Sequence, residues 1–368
     1  MPEPASLLDQ RFLAAAVRIG AGALGTAWPN PAVGAVLVKS GRVVSAGRTG
    51  RGGRPHAEQR ALQAAGGQAN GATLYVSLEP CAHHGRTPPC TDALIAAKVA
   101  RVVVGTDDPD MRVSGRGLAA LEAAGISVAH AMQDMAREAH AGHITRTRTG
   151  RPWVTLKLAV SGDGMIGRKN AGQVAITGKR ASAHVHALRS RFDGILVGRG
   201  TVEADDPQLT CRLPGLEDRS PVRIVLDTDG QLKRSAKVFA GTTDVPVLRL
   251  VGNHAAESAA ADDAGHVETI PVAVSEGRLD LRDVLARLAE FGLTRILVEG
   301  GAEVAASFLA DDLVDEAILF RSPIIIGSDG IPALGDVPLS SVEAGGRFNM
   351  VARRRFGEDR MVRYQRAK

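Results

Sequence analysis

The chain's first chemical signal comes from four residues. His56 and Glu58 stand two apart in Pro55-His56-Ala57-Glu58, while Cys81 and Cys90 each follow a proline and have eight residues between them. One imidazole and two thiolates make three ligands for zinc, with the fourth tetrahedral position left open as catalysis requires. His-x-Glu, then Pro-Cys, then a second Cys is the pattern of zinc deaminases; the eight-residue insert replaces their usual two. Zinc in such a site lowers the pKa of its water toward roughly 7. Hydroxide can then attack a ring carbon that bears an exocyclic amine. A carboxylate two residues beyond the histidine, here Glu58, carries protons from the water to the ring and to the departing ammonia. Pro89 suits the first turn of a helix whose N-terminal end favours the Cys90 thiolate.

Each of these residues alone reads as packing: buried cysteine behaves as a small hydrophobe, and a histidine can simply start a helix. Their coincidence favours zinc. A closed structural site with His83 or His84 as fourth ligand would leave Glu58 without a task. Cys211 has no partners in the sequence and reads as packing.

Alternating helices and strands must position these groups. In the first half, helix is expected over 6–23, 56–65, 89–98, 116–124 and on to about Ile144. Strands are expected at 33–38, 42–46, 72–77, 101–104 and 126–130. Thr147-Arg148-Thr149-Gly150-Arg151-Pro152 is polar, basic and broken by Gly and Pro, the composition of a linker between domains 1–146 and 153–368. A second series follows, with strands at 153–160, 194–197, 222–226, 245–251, 295–299 and 317–320, and helices at 179–189, 281–291 and 301–309. Both halves therefore read as α/β layered domains.

Composition narrows the partners. The length of 368 residues suggests two domains. With 2 Trp, 2 Tyr and 8 Phe, stacking platforms for single-stranded nucleic acid and membrane-interface belts are both disfavoured. The formal charge of +5 is dispersed rather than gathered in a stripe, so no nucleic-acid partner is expected and small anionic substrates fit better. No apolar run reaches the roughly 20 residues of a membrane span, and Met-Pro-Glu-Pro-Ala-Ser does not open a secretory signal. Three cysteines exclude a disulfide framework, and the expected address is the cytoplasm.

The second half is less explicit. Gly198-Arg199-Gly200 follows a strand, but Glu203 stands where a dinucleotide fingerprint needs its third glycine, and no acid closes a second strand about 20 residues on. Glu299-Gly300-Gly301 ends a strand and opens a helix, where backbone N–H groups could hold phosphate or simply form a tight turn. Arg189 and Arg212 are candidate phosphate clamps. Asp205-Asp206-Pro207 has the form of an Asx-type turn.

Read together, these segments resemble a known family, the bifunctional riboflavin-biosynthesis deaminase/reductases. The resemblance rests on Pro29-Asn30-Pro31-Ala32-Val33-Gly34, His56-Ala57-Glu58, the run from Leu78 to Cys90, Asp108-Pro109 and Ser114-Gly115-Arg116-Gly117. It continues through Leu156-Lys157-Leu158, Ile176-Thr177, Thr201 to Arg212, Arg223 to Asp227 and Val298-Glu299-Gly300-Gly301. It implies a cytidine-deaminase-like α/β/α domain followed by a dihydrofolate-reductase-like α/β domain. Such a protein deaminates a diaminopyrimidinone ribosylamino 5′-phosphate, then reduces the ribosyl chain to ribityl with NADPH. His56, Cys81 and Cys90 would hold one zinc, Glu58 would shuttle protons, and Asn30 and Arg86 would meet the deaminase substrate. Ala159, Thr177, Thr201, Asp205, Thr228 and Gly301 fall on the family's NADP positions. Lys157, Arg189, Leu209, Arg212 and Glu299 fall on its reductase-substrate positions. Phosphorylated pyrimidines are then the partners, with a homo-oligomer left open. Thr49, Gly162, Ala175 and Gly178 depart from the family's pattern, Ala175 by lacking a tryptophan. Those departures motivate a rival reading, a zinc deaminase whose second domain only binds.

Overall fold

The computed structural model describes residues 6–85, 87–240, 245–261, 265–344 and 346–367. The chain divides into two compact units, Met1–Arg151 and Pro152–Lys368.

In the first unit, α1 (Leu7–Ala21) leads to β1 (Gly34–Lys39) and β2 (Arg42–Arg48), then α2 (Ala57–Ala65), β3 (Thr73–Val76) and α3 (Cys90–Ala96). β4 (Arg101–Val104), α4 (Arg116–Ala123), β5 (Ser127–His130), α5 (Gln133–Ala139) and α6 (Ala141–Thr149) complete it. The sheet order is β2-β1-β3-β4-β5, with β1 antiparallel to both of its neighbours and β3, β4 and β5 parallel. Strand side chains alternate between faces, and two cores result. Val36, Val38, Tyr75 and Val103 pack against Leu13 and Ala16 of α1. Ala35, Leu37, Leu74, Val76 and Val104 pack against Ala57 and Ala61 of α2, Leu94 of α3 and Leu121 of α4. The result is three layers, α/β/α.

α1 begins with a capping box: Asp9 N–H donates to Ser6 Oγ at 3.1 Å, and Ser6 N–H donates to Asp9 Oδ2 at 2.9 Å. The buried Asp9 carboxylate also accepts from Arg101 Nη1 at 2.7 Å and from the Tyr75 hydroxyl at 2.9 Å. Gly47 lets α2 lie directly on β2, because a Cβ there would stand 2.3 Å from the Ala57 carbonyl oxygen.

The expected helix ending near Ile144 is two helices, breaking at buried His140, whose Nε2 lies 3.0 Å from Ser77 Oγ. α6 runs on through Thr147–Thr149, half of the expected linker. Gly150 stops it with φ 71°, and its N–H caps the Arg146 carbonyl.

The second unit begins with β6 (Trp153–Val160), β7 (Met165–Arg168), α7 (Lys179–Arg189), β8 (Gly194–Gly198), α8 (Arg199–Asp205), β9 (Val222–Leu226) and β10 (Val247–Gly252). α9 (Ala256–Ala261), β11 (Val267–Val272), the short pair β12 (Val274–Ser275) and β13 (Arg278–Leu279), α10 (Leu281–Phe291), β14 (Arg295–Val298) and α11 (Ala302–Ala310) follow. β15 (Glu316–Arg321), β16 (Gly330–Pro332), α12 (Ser340–Glu343), β17 (Phe348–Phe356) and β18 (Asp359–Arg366) close the chain. Nine strands form one sheet in the order β11-β10-β9-β8-β14-β6-β15-β18-β17. The first seven in that order are parallel, and the β17–β18 hairpin joins antiparallel. Parallel strands buried on both faces explain the apolar run Gly194–Gly198 and the complete burial of Val247–Gly252, where Arg249 is the one charged residue. Asp227 does close the second strand of a β-α-β unit, 29 residues beyond Gly198, but it is fully buried and paired with Arg249 at 2.7 Å.

Candidate active sites

His56 is the N-cap of α2, and Glu58 lies in that helix's first turn, 4% exposed. Cys90 is the first residue of α3, with Pro89 as N-cap instead of lying inside the helix. Cys81 sits on the segment that leaves β3. His56 Nδ1 lies 3.3 Å from Cys90 Sγ and 3.6 Å from Cys81 Sγ, and the three donor atoms all fall within 4.8 Å of one another. Tetrahedral zinc, with Zn–N of about 2.0–2.1 Å and Zn–S of about 2.3 Å, sets N and S about 3.6 Å apart. The group fits zinc. Among the described residues neither His83 nor His84 joins it, so a fourth position stays available.

The electrostatics agree with a cation at this point. A hydrogen bond with Cys90, against the effect of burial, and His56 draw the Cys81 thiol down to about 4. Cys90 is pushed up by its hydrogen bond to Cys81, by burial and by Glu58. Two thiols and a carboxylate thus compete for one negative charge, a competition that a dication removes. Burial, aided by the charge at Cys81, pushes the Glu58 carboxyl up to about 7, in the range suited to moving protons both ways.

Asn30 is brought to this entrance, its Nδ2 donating to the Gly53 carbonyl at 3.0 Å in the loop that precedes His56. Arg86 lies outside the described residues. The Thr49 hydroxyl donates to the Pro31 carbonyl and accepts from the Val33 N–H, both at 2.9 Å, so this departure braces the segment after Asn30. Sequence reading passed over two supports. Glu79 is buried and accepts from the N–H groups of Asp108 (3.3 Å), Gly115 (3.1 Å) and Gly117 (3.1 Å), tying the 108–117 loop to the Cys81 segment. Arg54 Nη1 donates to Thr87 Oγ1, holding the insert between the cysteines. An acid directly before Pro-Cys was the available signal for the first; the second had none.

In the second unit, a cleft of about 1940 Å³ lies along the carboxyl ends of β6, β8, β9 and β14, where open parallel sheets bind ligands. Ordinary small-molecule sites occupy about 300–1,000 Å³, so a dinucleotide and a second nucleotide have room together. All eleven candidates of this half line it: Lys157, Ala159, Thr177, Arg189, Thr201, Asp205, Leu209, Arg212, Thr228, Glu299 and Gly301. At its centre Glu299 accepts from Arg189 Nε at 2.9 Å and Nη2 at 3.1 Å, with Lys157 Nζ 3.4 Å away. Burial works to raise this carboxyl, but the Arg189 and Lys157 charges prevail and hold it at about 2. Arg189 Nη1 donates to the Thr210 carbonyl at 3.2 Å. Its fork is therefore committed within the protein, whereas the Arg212 guanidinium is exposed on the wall and, among the described residues, makes one bond, from Nη1 to Gln208 Oε1.

Two helix starts face the cleft, α8 after Gly198 and α11 after Gly301. A Cβ at either Gly198 or Gly300 would stand 2.7 Å from the Val304 side chain, so these glycines permit the approach of α11 to the strand ends. The Gly301 N–H donates to Thr201 Oγ1 at 2.9 Å, joining the two starts. Exposed Ala175 leaves one edge of the cleft low where an indole would stand, and the Gly178 N–H is held by Asp359 Oδ2 at 2.8 Å. At Gly162 a Cβ would stand 3.1 Å from Cδ1 of the exposed Ile325, a close approach that a small shift of that side chain relieves.

Family models match both units. The cytidine and deoxycytidylate deaminase zinc-binding region covers residues 7–106, and the RibD C-terminal domain covers 152–361. The riboflavin biosynthesis protein RibD of Aquifex aeolicus is 36% identical over 98% of this chain and 99% of its own length. The RibD protein of Escherichia coli is 38% identical over 90% and 94%. A solved structure from Thermotoga maritima, a diaminohydroxyphosphoribosylaminopyrimidine deaminase/5-amino-6-(5-phosphoribosylamino)uracil reductase, superposes with a TM-score of 0.85. It shares 34% identity over 98% of this chain and 99% of that one.

Proposed function

The chain belongs to the RibD family of bifunctional riboflavin-biosynthesis enzymes, and from that premise we propose that its two sites act in succession on one phosphorylated pyrimidine. It is a zinc-dependent deaminase and an NADPH-dependent reductase, with both catalytic units present. No helix among the described residues is long and apolar enough to cross a membrane. Three unpaired thiols support work in the reducing cytoplasm.

In this reading the first substrate is the diaminopyrimidinone ribosylamino 5′-phosphate and the second is its deaminated uracil counterpart. His56, Cys81 and Cys90 hold zinc, which when bound supplies the Lewis acidity that makes water nucleophilic near neutral pH. Glu58 takes one proton from the water and passes it to the ring nitrogen, then takes a second from the hydroxyl now on the ring carbon and passes it to the amine, which departs as ammonia. Asn30 orients the pyrimidine, and the family resemblance assigns Arg86 to the same substrate. In the second unit, NADPH supplies the hydride. Ala159, Thr177, Thr201, Asp205, Thr228 and Gly301 form its wall. Lys157 Nζ, fixed by Glu299, presents donors to the sugar chain. Arg189 fixes Glu299 and the Thr210 carbonyl, Leu209 closes the apolar side, and Arg212 binds the phosphate.

The observation that carries this reading is the His56–Cys81–Cys90 group with Glu58 buried beside it. The rival reading of a non-catalytic second domain gives way to the RibD C-terminal match and the cleft that gathers the reductase candidates. Turnover with and without NADPH, following ammonia and both pyrimidine products, tests the whole scheme. Ammonia release should need no NADPH, and the ribityl product should require it. Failure to consume NADPH with authentic deaminated substrate would overturn the second half.

A further inference from the structure

The wall that carries Arg212 is built in an unusual way. Leu209 is buried and takes φ 56°, a backbone region that disfavours a branched side chain. The three residues after it are tied to a single turn of α7. Arg189 Nη1 donates to the Thr210 carbonyl at 3.2 Å, the Cys211 thiol donates to the His186 carbonyl at 3.2 Å, and the Arg212 N–H donates to His186 Nδ1 at 3.3 Å. The last bond differs in kind, because its acceptor is a ring nitrogen. An N–H can donate to Nδ1 only when that atom keeps its lone pair, so this bond calls for a neutral imidazole with its proton on Nε2.

We propose that His186, as the neutral Nε2–H tautomer, is a positioning residue for Arg212 and through it for the phosphate of the reductase substrate. The proposal rests on the reading of Arg212 as the phosphate-binding arginine. His186 lines the same cleft as Arg212 and Leu209, and fixing the Arg212 backbone fixes the origin of a guanidinium whose fork is otherwise exposed. The groups around the ring favour the neutral form. Burial and the charges of Arg189 and Arg212 oppose protonation, and together they outweigh the Thr210 carbonyl and Glu299, which favour it. A proton on Nδ1 would set donor against donor and release the Arg212 N–H.

The test uses full-length, zinc-loaded enzyme with the deaminated substrate, phosphorylated and dephosphorylated. His186→Ala should raise KM for the phosphorylated substrate about two- to tenfold, the worth of one neutral hydrogen bond. Its kcat, its KM for the dephosphorylated substrate and its NADPH affinity should hold. His186→Asn, whose Oδ1 can accept the same N–H, should recover most of the loss. Arg212→Ala should raise the same KM at least as much, and adding His186→Ala to it should change little. Nitrogen-15 NMR of the wild-type imidazole should show a bare Nδ1 and a protonated Nε2. A proton on Nδ1, an unchanged KM in His186→Ala beside a raised one in Arg212→Ala, or full additivity of the two would each overturn the proposal. An unchanged KM in Arg212→Ala would instead remove the phosphate reading beneath it. Should His186→Ala fail to fold, His186→Asn and the wild-type spectrum still decide.

Discussion

Replacing Glu299 by Gln removes the one negative charge between Arg189 and Lys157 while keeping the side chain's size. The carboxyl is buried and is held at about 2 against an ordinary value of 4.5. At about 1.36 kcal/mol per pKa unit, that depression is worth about 3 kcal/mol of folding free energy. Breaking a buried ion pair from one side costs about 3–5 kcal/mol by an independent route, since the partner charges stay buried. A unit of this size loses about 2–4 °C per kcal/mol, so the second unit should melt about 6–12 °C lower at pH 7. The sign follows from the depressed pKa. The stabilisation is complete above pH 4.5 and is lost as pH falls toward 2, so the gap between wild type and Glu299→Gln should narrow below pH 4.5. Circular-dichroism melts across pH 3–7 measure this, with ammonia release below the transition as a control for the first unit. A melting change under about 1 °C at pH 7, or a gap that widens in acid, would refute the reasoning.

The metal site makes a sharper division. Purified protein should carry about one zinc per chain; Cys81→Ala, Cys90→Ala or chelation should abolish ammonia release, and NADPH oxidation with deaminated substrate should persist. Glu58→Gln should keep its zinc by metal analysis yet lose deamination by about 10²–10⁴-fold, because an amide cannot shuttle protons. Gly300→Ala should force its Cβ against Val304, destabilise the second unit by about 1–3 kcal/mol and weaken NADPH binding in a fluorescence titration. Ala175→Trp should lower the reductase KM by rebuilding the exposed edge of the cleft; an unchanged KM would show that the missing indole does not shape binding.

The first unit's site could be read in the sequence because its parts lie within 35 residues, each on a motif whose chemistry is local: His-x-Glu at a helix start, Cys after Pro. The second unit's site is assembled across the sheet. Glu299 meets Arg189 over 110 positions and Lys157 over 142, separations that no periodicity encodes. The residues alone marked Arg189 and Glu299 without joining them, resemblance added Lys157, and only the structure showed Arg189 bound to Glu299 while the Arg212 guanidinium is exposed. Among the elements that escaped, two have a weak burial pattern. β17 is an edge strand whose Asn349, Met350, Arg353, Arg354 and Arg355 are exposed, so apolar alternation is nearly absent and pairing with β18 defines it. β11 is likewise a half-exposed edge. At His140, propensity suggested one helix, and a buried ring reaching Ser77 marks the break.

In the proposed NADPH wall, the bond between Thr201 Oγ1 and the Gly301 N–H bears on what nucleotide binding must accomplish. Two segments a hundred residues apart, one leading from β8 into α8 and the other from β14 into α11, cannot drift independently while that hydroxyl spans them. With Val304 wedged against both Gly198 and Gly300, the two loops form a single rigid abutment before any nucleotide arrives. Little conformational entropy then remains to be surrendered on association at that wall, so more of the gross attraction between nucleotide and protein survives as affinity.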